Sequence, residues 1–289
     1  MSKKLISFDW GMKSILRQEA NFAILEGFLS ELLKFNLKIL QILEDEEASE
    51  EFNKIDILAE DEGGEQILVE ILYNDEIDYF HSMLYGTAKL ISKYTKKERG
   101  FRKVKKVYSI NIVYFEIEQG EDYIYRGKID FKGLHSDDTL ELSQLQKDEF
   151  RVDEISDIYP DYYVLRINQF NDIAKNTLDE WIYFLKNGEI EDEFEAKGLS
   201  EARTAFDISK LEAQEVEEYE KKIENQRYKE SLLHTAEVKG LKKGKQEGYK
   251  EGKLEARMEI AKNALQQGVD IETIKLITGL NEEIIKTLQ

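Results

Sequence analysis

The residues from Val107 to Phe115 (Val-Tyr-Ser-Ile-Asn-Ile-Val-Tyr-Phe) form a nearly continuous apolar run. A strand that is apolar on both faces is buried on both faces, and such strands belong to α/β proteins, whose helices cover each side of a sheet. The surrounding pattern agrees. Lys54–Leu58 and Gln66–Leu72 read as two further strands, joined through Asp61-Glu62-Gly63-Gly64. The glycines supply the positive φ of a tight turn, so the pair is expected to be an antiparallel hairpin. Residues 75–97 have helical spacing, with Phe80, Met83, Leu84, Thr87 and Leu90-Ile91 expected on one face. Tyr123–Lys128 and, after the single proline Pro160, Tyr162–Ile167 are additional strand candidates. The order helix, hairpin, helix, strand indicates an α/β core.

Helices flank this core in the sequence. Residues near 9–35 carry Phe22, Leu25, Leu29 and Leu32-Leu33 at close to a 3.6 period, with Asn21 as the expected N-cap. Ile39–Leu43 reads as a short strand or a helix end and precedes an acidic stretch, Glu44–Glu51. From Asn171 the chain is mainly helical. Leu178, Trp181, Ile182 and Leu185 mark an amphipathic helix ending near Gly188, and a long charged helix is expected over roughly 193–265. Gly240, Gly244, Gly248 and Gly252 recur there every fourth residue, near one helical face. They allow either close approach of a second helix, hence a homo-oligomer, or a frayed charged helix, because glycine costs about 1 kcal/mol relative to alanine. Val269–Leu288 reads as two short helices capped by Asp270 and Asn281 and broken at Gly279-Leu280. This pair is similar to a small helix-turn-helix, suited to docking or DNA contact. The expected organisation is a domain over residues 1–190 and a charged helical extension over 191–289.

Composition removes whole classes of chemistry. With no cysteine and three dispersed histidines (His81, His135, His234), disulfides, thiolate catalysis, cysteine-zinc sites and a Ser-His-Asp triad are not expected. Any metal is then held by carboxylates, which suits Mg²⁺ or Mn²⁺. The net charge of −19 argues against indiscriminate nucleic-acid binding and leaves local basic patches to make phosphate contacts. The apolar segment after Lys3-Lys4 is too short for a signal peptide, and no apolar run approaches a membrane span of roughly 20 residues. The expectation is a soluble cytoplasmic protein without a membrane partner.

Within the hairpin, side chains alternate faces, so Asp56 is expected to share a face with Leu58, and Glu70 with Leu68 and Leu72. Each carboxylate interrupts an apolar strand. A buried charge is costly unless a cation or donor compensates it, and two carboxylates from adjacent strands can share a divalent cation. The alternative is a pair of solvent-facing acidic residues. After the hairpin, Lys89, Lys93, Lys96, Lys97, Arg99, Arg102, Lys103, Lys105 and Lys106 cluster, interleaved with Tyr94 and Phe101. This is either a phosphate-tracking surface or a solvated helix and loop.

An ordered set of motifs resembles the Rpn family of recombination-promoting nucleases and transposases over roughly residues 5–210. The set begins with Phe8-Asp9-Trp10-Gly11-Met12-Lys13 and Ile24-Leu25-Glu26-Gly27-Phe28-Leu29. It continues through Asn53-Lys54-Ile55-Asp56, Val69-Glu70-Ile71, Asp78-Tyr79-Phe80-His81 and Leu84-Tyr85-Gly86, as far as Leu178-Asp179-Glu180-Trp181. The resemblance implies a PD-(D/E)xK restriction-endonuclease-like core, a mixed sheet flanked by helices, that binds Mg²⁺ and cuts DNA. It assigns Asp56 and Glu70 as catalytic metal ligands, with Glu26 joining through a water or remaining a solvated helix residue. Leu72 stands where the family has Gln, and Ser82 where it has Arg. Two functions follow: a Mg²⁺-dependent DNA endonuclease, or a catalytically impaired relative that engages DNA or a partner protein.

Overall fold

The computed structural model describes residues 5–8, 10–11, 16, 18–42, 55–73, 77–97, 104–117 and 119–288; for residues 55, 56, 94–97, 226, 229, 230, 233 and 237 it describes the backbone alone. The chain divides into two compact units, Met1–Val216 and Glu217–Gln289.

The first unit is a six-stranded mixed sheet with helices, as the apolar central run requires. Strands β1 (Ile39–Ile42), β2 (Ile55–Asp61) and β3 (Gln66–Leu72) form an antiparallel meander. Helix α2 (Tyr79–Lys97) leads to β4 (Val107–Val113), which lies parallel to β3, and β6 (Asp161–Arg166) lies parallel to β4. Strand β5 (Ile124–Gly127) pairs antiparallel with β6 at the edge, giving the order β1-β2-β3-β4-β6-β5. Every residue of β4 is buried. The hairpin between β2 and β3 turns on Gly64 at φ 80°, a left-handed conformation that costs glycine little.

Helices α1 (Phe22–Leu33), α4 (Thr177–Asn187) and α5 (Leu199–Ala205) pack together around an aromatic cluster. The ring of Phe8 stands 5.8 Å from Phe28, 6.3 Å from Trp181, 6.1 Å from Phe184 and 6.1 Å from Phe206, each edge-on. Gly27 is required where α1 meets the segment before α5: a Cβ there would lie 2.1 Å from the Lys197 carbonyl oxygen. Because Ala196, Leu199, Ala202 and Phe206 are buried in this unit, the unit runs past the sequence-expected boundary at 190 to Val216. The long helix is correspondingly shorter than its charge pattern suggests. It is α6, Ala213–Gln266, and the residues before it hold α5 and turns. The short helix α3 (Gln144–Phe150), closed by a Ser143/Gln146 capping box, has no counterpart in the sequence reading.

In the second unit, α7 (Ile271–Thr278) and α8 (Glu282–Thr287) fold against the end of α6 around Ala261, Ile274, Leu280 and Ile285. Asp270 and Asn281 are the N-caps, and Gly279 at φ 67° closes α7, as their residue types require. No atom lies within 4 Å of a Cβ placed at Gly240, Gly244, Gly248 or Gly252, so that side of α6 is open among the described residues. No described helix is long and apolar enough to cross a membrane.

Candidate active site

The face of the sheet beneath α2 is built from alternate residues of β3 and β4. Leu68 packs with Leu58, Val107 and Leu90 of α2; Leu72 packs with Val113, Val164 and Tyr79 of α2. Glu70 lies between these two apolar clusters on the same face, and it is 8% exposed. Helix α2 passes directly above it, since a Cβ at Gly86 would stand 3.9 Å from Glu70 Oε1. Burial, and then the Glu70 charge, push the Tyr79 hydroxyl well above the ordinary tyrosine range. That hydroxyl is itself buried and has no hydrogen-bond partner among the described residues. The sequence expectation that Glu70 shares its face with Leu68 and Leu72 is met.

Strict alternation does not hold for the other strand. From Glu60 to Ile57, β2 pairs regularly with Gln66 to Val69, and Ile55 then pairs with Glu70, so Asp56 is the extra residue of a β-bulge. A bulge leaves its residue outside the ladder and re-aims it. The backbone thus brings Asp56 alongside Glu70, while the Asp56 side chain lies outside the described residues.

Glu26 is not brought to this pair. Its Oε1 accepts the Ile39 amide at 2.8 Å, at the start of β1. Ile39 pairs with Asp61, at the end of β2 opposite Asp56. At about 3.3 Å per residue, that end lies roughly 16 Å along the strand from Asp56. Ser82, which stands where the resembled family has Arg, donates its hydroxyl to the Tyr79 carbonyl at 3.0 Å, a local helix bond.

The buried side of α2 is Tyr79, Thr87 and Leu90 with half-buried Met83 and Ile91; Phe80 and Leu84, expected on that side, are 56% and 59% exposed. The sequence assigned too wide a stripe, and the packing of the helix against the two sheet clusters selects the part that is buried. Lys89 is exposed and Lys93 half-buried on α2. The backbone of Lys96 and Lys97 continues the helix, their side chains lie outside the described residues, and so do Arg99, Arg102 and Lys103 entirely. At 1.5 Å per residue, Lys93 and Lys97 follow Gly86 by about 10 and 16 Å along the axis.

One polar group on this face was missed by the sequence reading. Asn111 of β4 stands in register with Glu70 and is fully buried. Its Nδ2 donates to the Ser109 carbonyl at 3.2 Å, to Ser109 Oγ at 3.0 Å and to the Tyr163 carbonyl at 3.2 Å; its Oδ1 has no partner among the described residues. The visible signal was a polar residue inside an otherwise apolar run.

A family model for PD-(D/E)XK nuclease family transposases matches residues 6–236. The chain belongs to this family. Its nuclease and transposase-like character, and the mixed sheet with a long C-terminal helix, follow from that membership and agree with the resemblance seen in the sequence. A second model, for the C-terminal helix-turn-helix domain of the Rpn/YhgA-like nuclease family, matches residues 254–289, the segment folded around Ile274 and Ile285. No curated protein and no solved structure matches the chain. The family generally uses divalent metals. Among the described residues no three histidine, aspartate or glutamate side chains gather as a metal cluster. The available donors are oxygens around a buried carboxylate, the chemistry that a hard cation takes.

Proposed function

We propose that this chain is a metal-dependent DNA endonuclease of the transposase type, acting in recombination in the cytoplasm and hydrolysing phosphodiester bonds with Mg²⁺ or Mn²⁺. The observation that carries the reading is Glu70: a carboxylate held between two apolar clusters, beside the bulge that contains Asp56. A carboxylate oxygen in such a place is a donor that a hard divalent cation takes. Asp56 and Glu70 hold the ion. When bound, the ion polarises the phosphoryl group and lowers the pKa of the attacking water. The lysines of α2, from Lys89 through Lys97, engage the DNA backbone, and the terminal helix-turn-helix adds a second DNA contact. Self-association through the open glycine side of α6 is a further part of this reading.

A second reading has specific support. Leu72 is packed among Tyr79, Val113 and Val164 and offers no hydrogen bond to a water or a phosphate. Ser82 is bonded to its own helix and brings no charge. An impaired relative that binds DNA or a partner fits those two facts. Plasmid nicking with Mg²⁺ separates the readings. Cleavage by the unaltered protein that is lost in Asp56→Ala and Glu70→Gln supports the endonuclease. Absence of cleavage, with cleavage gained in Leu72→Gln, supports the binding protein.

A further inference from the structure

The unpartnered oxygen of Asn111 calls for a physical explanation, because buried polar atoms are almost always satisfied. The orientation of the amide is fixed by its surroundings. The Ser109 and Tyr163 carbonyls accept and cannot donate, so the nitrogen must face them; turning the amide over would set oxygen against oxygen. Tyr163 belongs to β6, on one side of β4, so Oδ1 is turned away from β6. On the other side of β4 lies β3, with Glu70 in register, about 4.8 Å away in the hydrogen-bonding direction. Two acceptors, a carboxylate and an amide oxygen, thereby come from register-paired residues on one buried face. Neither can donate to the other, and a cation is the species both would attract.

We infer that Asn111 Oδ1 is the third protein oxygen at the Asp56–Glu70 cation site, completing a carboxylate, carboxylate and amide set for a hard divalent ion. The inference rests on the endonuclease reading of that site. It also explains how the site tolerates Leu72, since a neighbouring strand contributes a polar atom to the same face. The network Ser109–Asn111–Tyr163 holds the ligand in place, as partners around metal ligands generally do.

Binding of Mn²⁺ to the full chain, followed by the electron paramagnetic resonance of the free ion, tests this without any cleavage assay. The unaltered protein is expected to bind one ion tightly, and Glu70→Gln to lose it. Asn111→Leu is expected to weaken binding on the order of tenfold or more. Asn111→Asp, which places an anionic oxygen there, is expected to tighten it on the order of tenfold. Circular dichroism establishes whether each variant is folded. If Asn111→Leu is folded and binds Mn²⁺ as the unaltered protein does, the role of Asn111 is overturned while the carboxylate site stands. If Asn111→Leu fails to fold, Asn111→Asp decides: tighter binding supports the assignment, and unchanged or weaker binding overturns it. If the unaltered protein shows no Glu70-dependent binding, the cation site and the inference built on it both fall.

Discussion

Removal of the Asp161 carboxylate tests how the sheet is locked together next to the candidate site. Asp161 opens β6 and its side chain is 1% exposed. Its Oδ1 accepts from Lys106 Nζ at 2.6 Å, and its Oδ2 accepts from Arg126 Nε at 3.1 Å and Nη2 at 2.6 Å, joining the starts of β4 and β6 to edge strand β5. Lys106 is itself 7% exposed in its side chain, and its remaining hydrogen bond is to the Ser156 carbonyl at 2.9 Å. Asp161→Ala therefore leaves a buried ammonium with the Ser156 carbonyl, the Tyr108 ring at 5.5 Å and the Glu65 charge, and without its directly bonded carboxylate. Breaking a buried pair in this way costs about 3–5 kcal/mol. Arg126 adds little, because its side chain is 51% exposed and solvent replaces the lost contact. For a unit of this size, each kcal/mol moves the melting temperature by about 2–4 °C, so a fall of roughly 6–20 °C is expected. Urea unfolding followed by tryptophan fluorescence gives the free energy. The double variant Lys106→Met/Asp161→Leu removes both charges and should recover most of the loss. A single-variant cost below about 1 kcal/mol would refute the reasoning, since the pair would then behave as a solvent-screened surface bridge. A double variant no better than the single one would do so as well.

Other perturbations probe the site and its frame. Mg²⁺ at a hundredfold excess over its dissociation constant should stabilise the folded protein by about 2.7 kcal/mol and leave Glu70→Gln unmoved; equal thermal shifts in both proteins would count against Glu70 as a ligand. Glu65 has its carboxyl raised above the ordinary value, chiefly by burial and then by the Asp61 charge. A raised folded-state pKa gives stability that is present below the unfolded pKa and lost as pH rises through the folded one. Glu65→Gln should therefore gain melting temperature over the unaltered protein at pH 7 and lose that advantage near pH 4; a gain independent of pH would rule out the charge as its cause. Gly27→Ala should lower stability by about 1–3 kcal/mol through overpacking on Lys197, despite alanine's better helix propensity, measurable as a drop in urea midpoint. Ile285→Ala, at a fully buried position of the terminal helical unit, should cost that unit about 2–5 kcal/mol and weaken DNA retention in a gel-shift assay; unchanged retention would remove the helix-turn-helix from the DNA interface.

Local features of the chain made much of the architecture readable. The short apolar-rich segment Gln66–Leu72 after the Gly63-Gly64 turn and the nearly continuous apolar run Val107–Val113 both became strands of the sheet. Asp270, Gly279 and Asn281 cap or end helices by their own backbone and side-chain chemistry, which needs no distant partner. Glu70 was legible as a misplaced charge for the same reason: its neighbours in sequence are its neighbours in the strand.

Tertiary structure alone decided what depends on partners far away in the chain. The bulge at Asp56 exists because β2 must stay paired to β3 while shifting register by one residue, and nothing in Asn53-Lys54-Ile55-Asp56 announces it. Phe80 and Leu84 have the same apolar character as Met83 and Leu90, yet the seat of α2 on the sheet buries Leu90, half-buries Met83 and leaves Phe80 and Leu84 outside. Asn111 looked like one polar residue in an apolar run until β3 on one side and β6 on the other fixed what each end of its amide could meet. Periodicity and capping act over a few residues and are written into the sequence; register, burial side and the fate of a buried polar atom are set by which strands become neighbours.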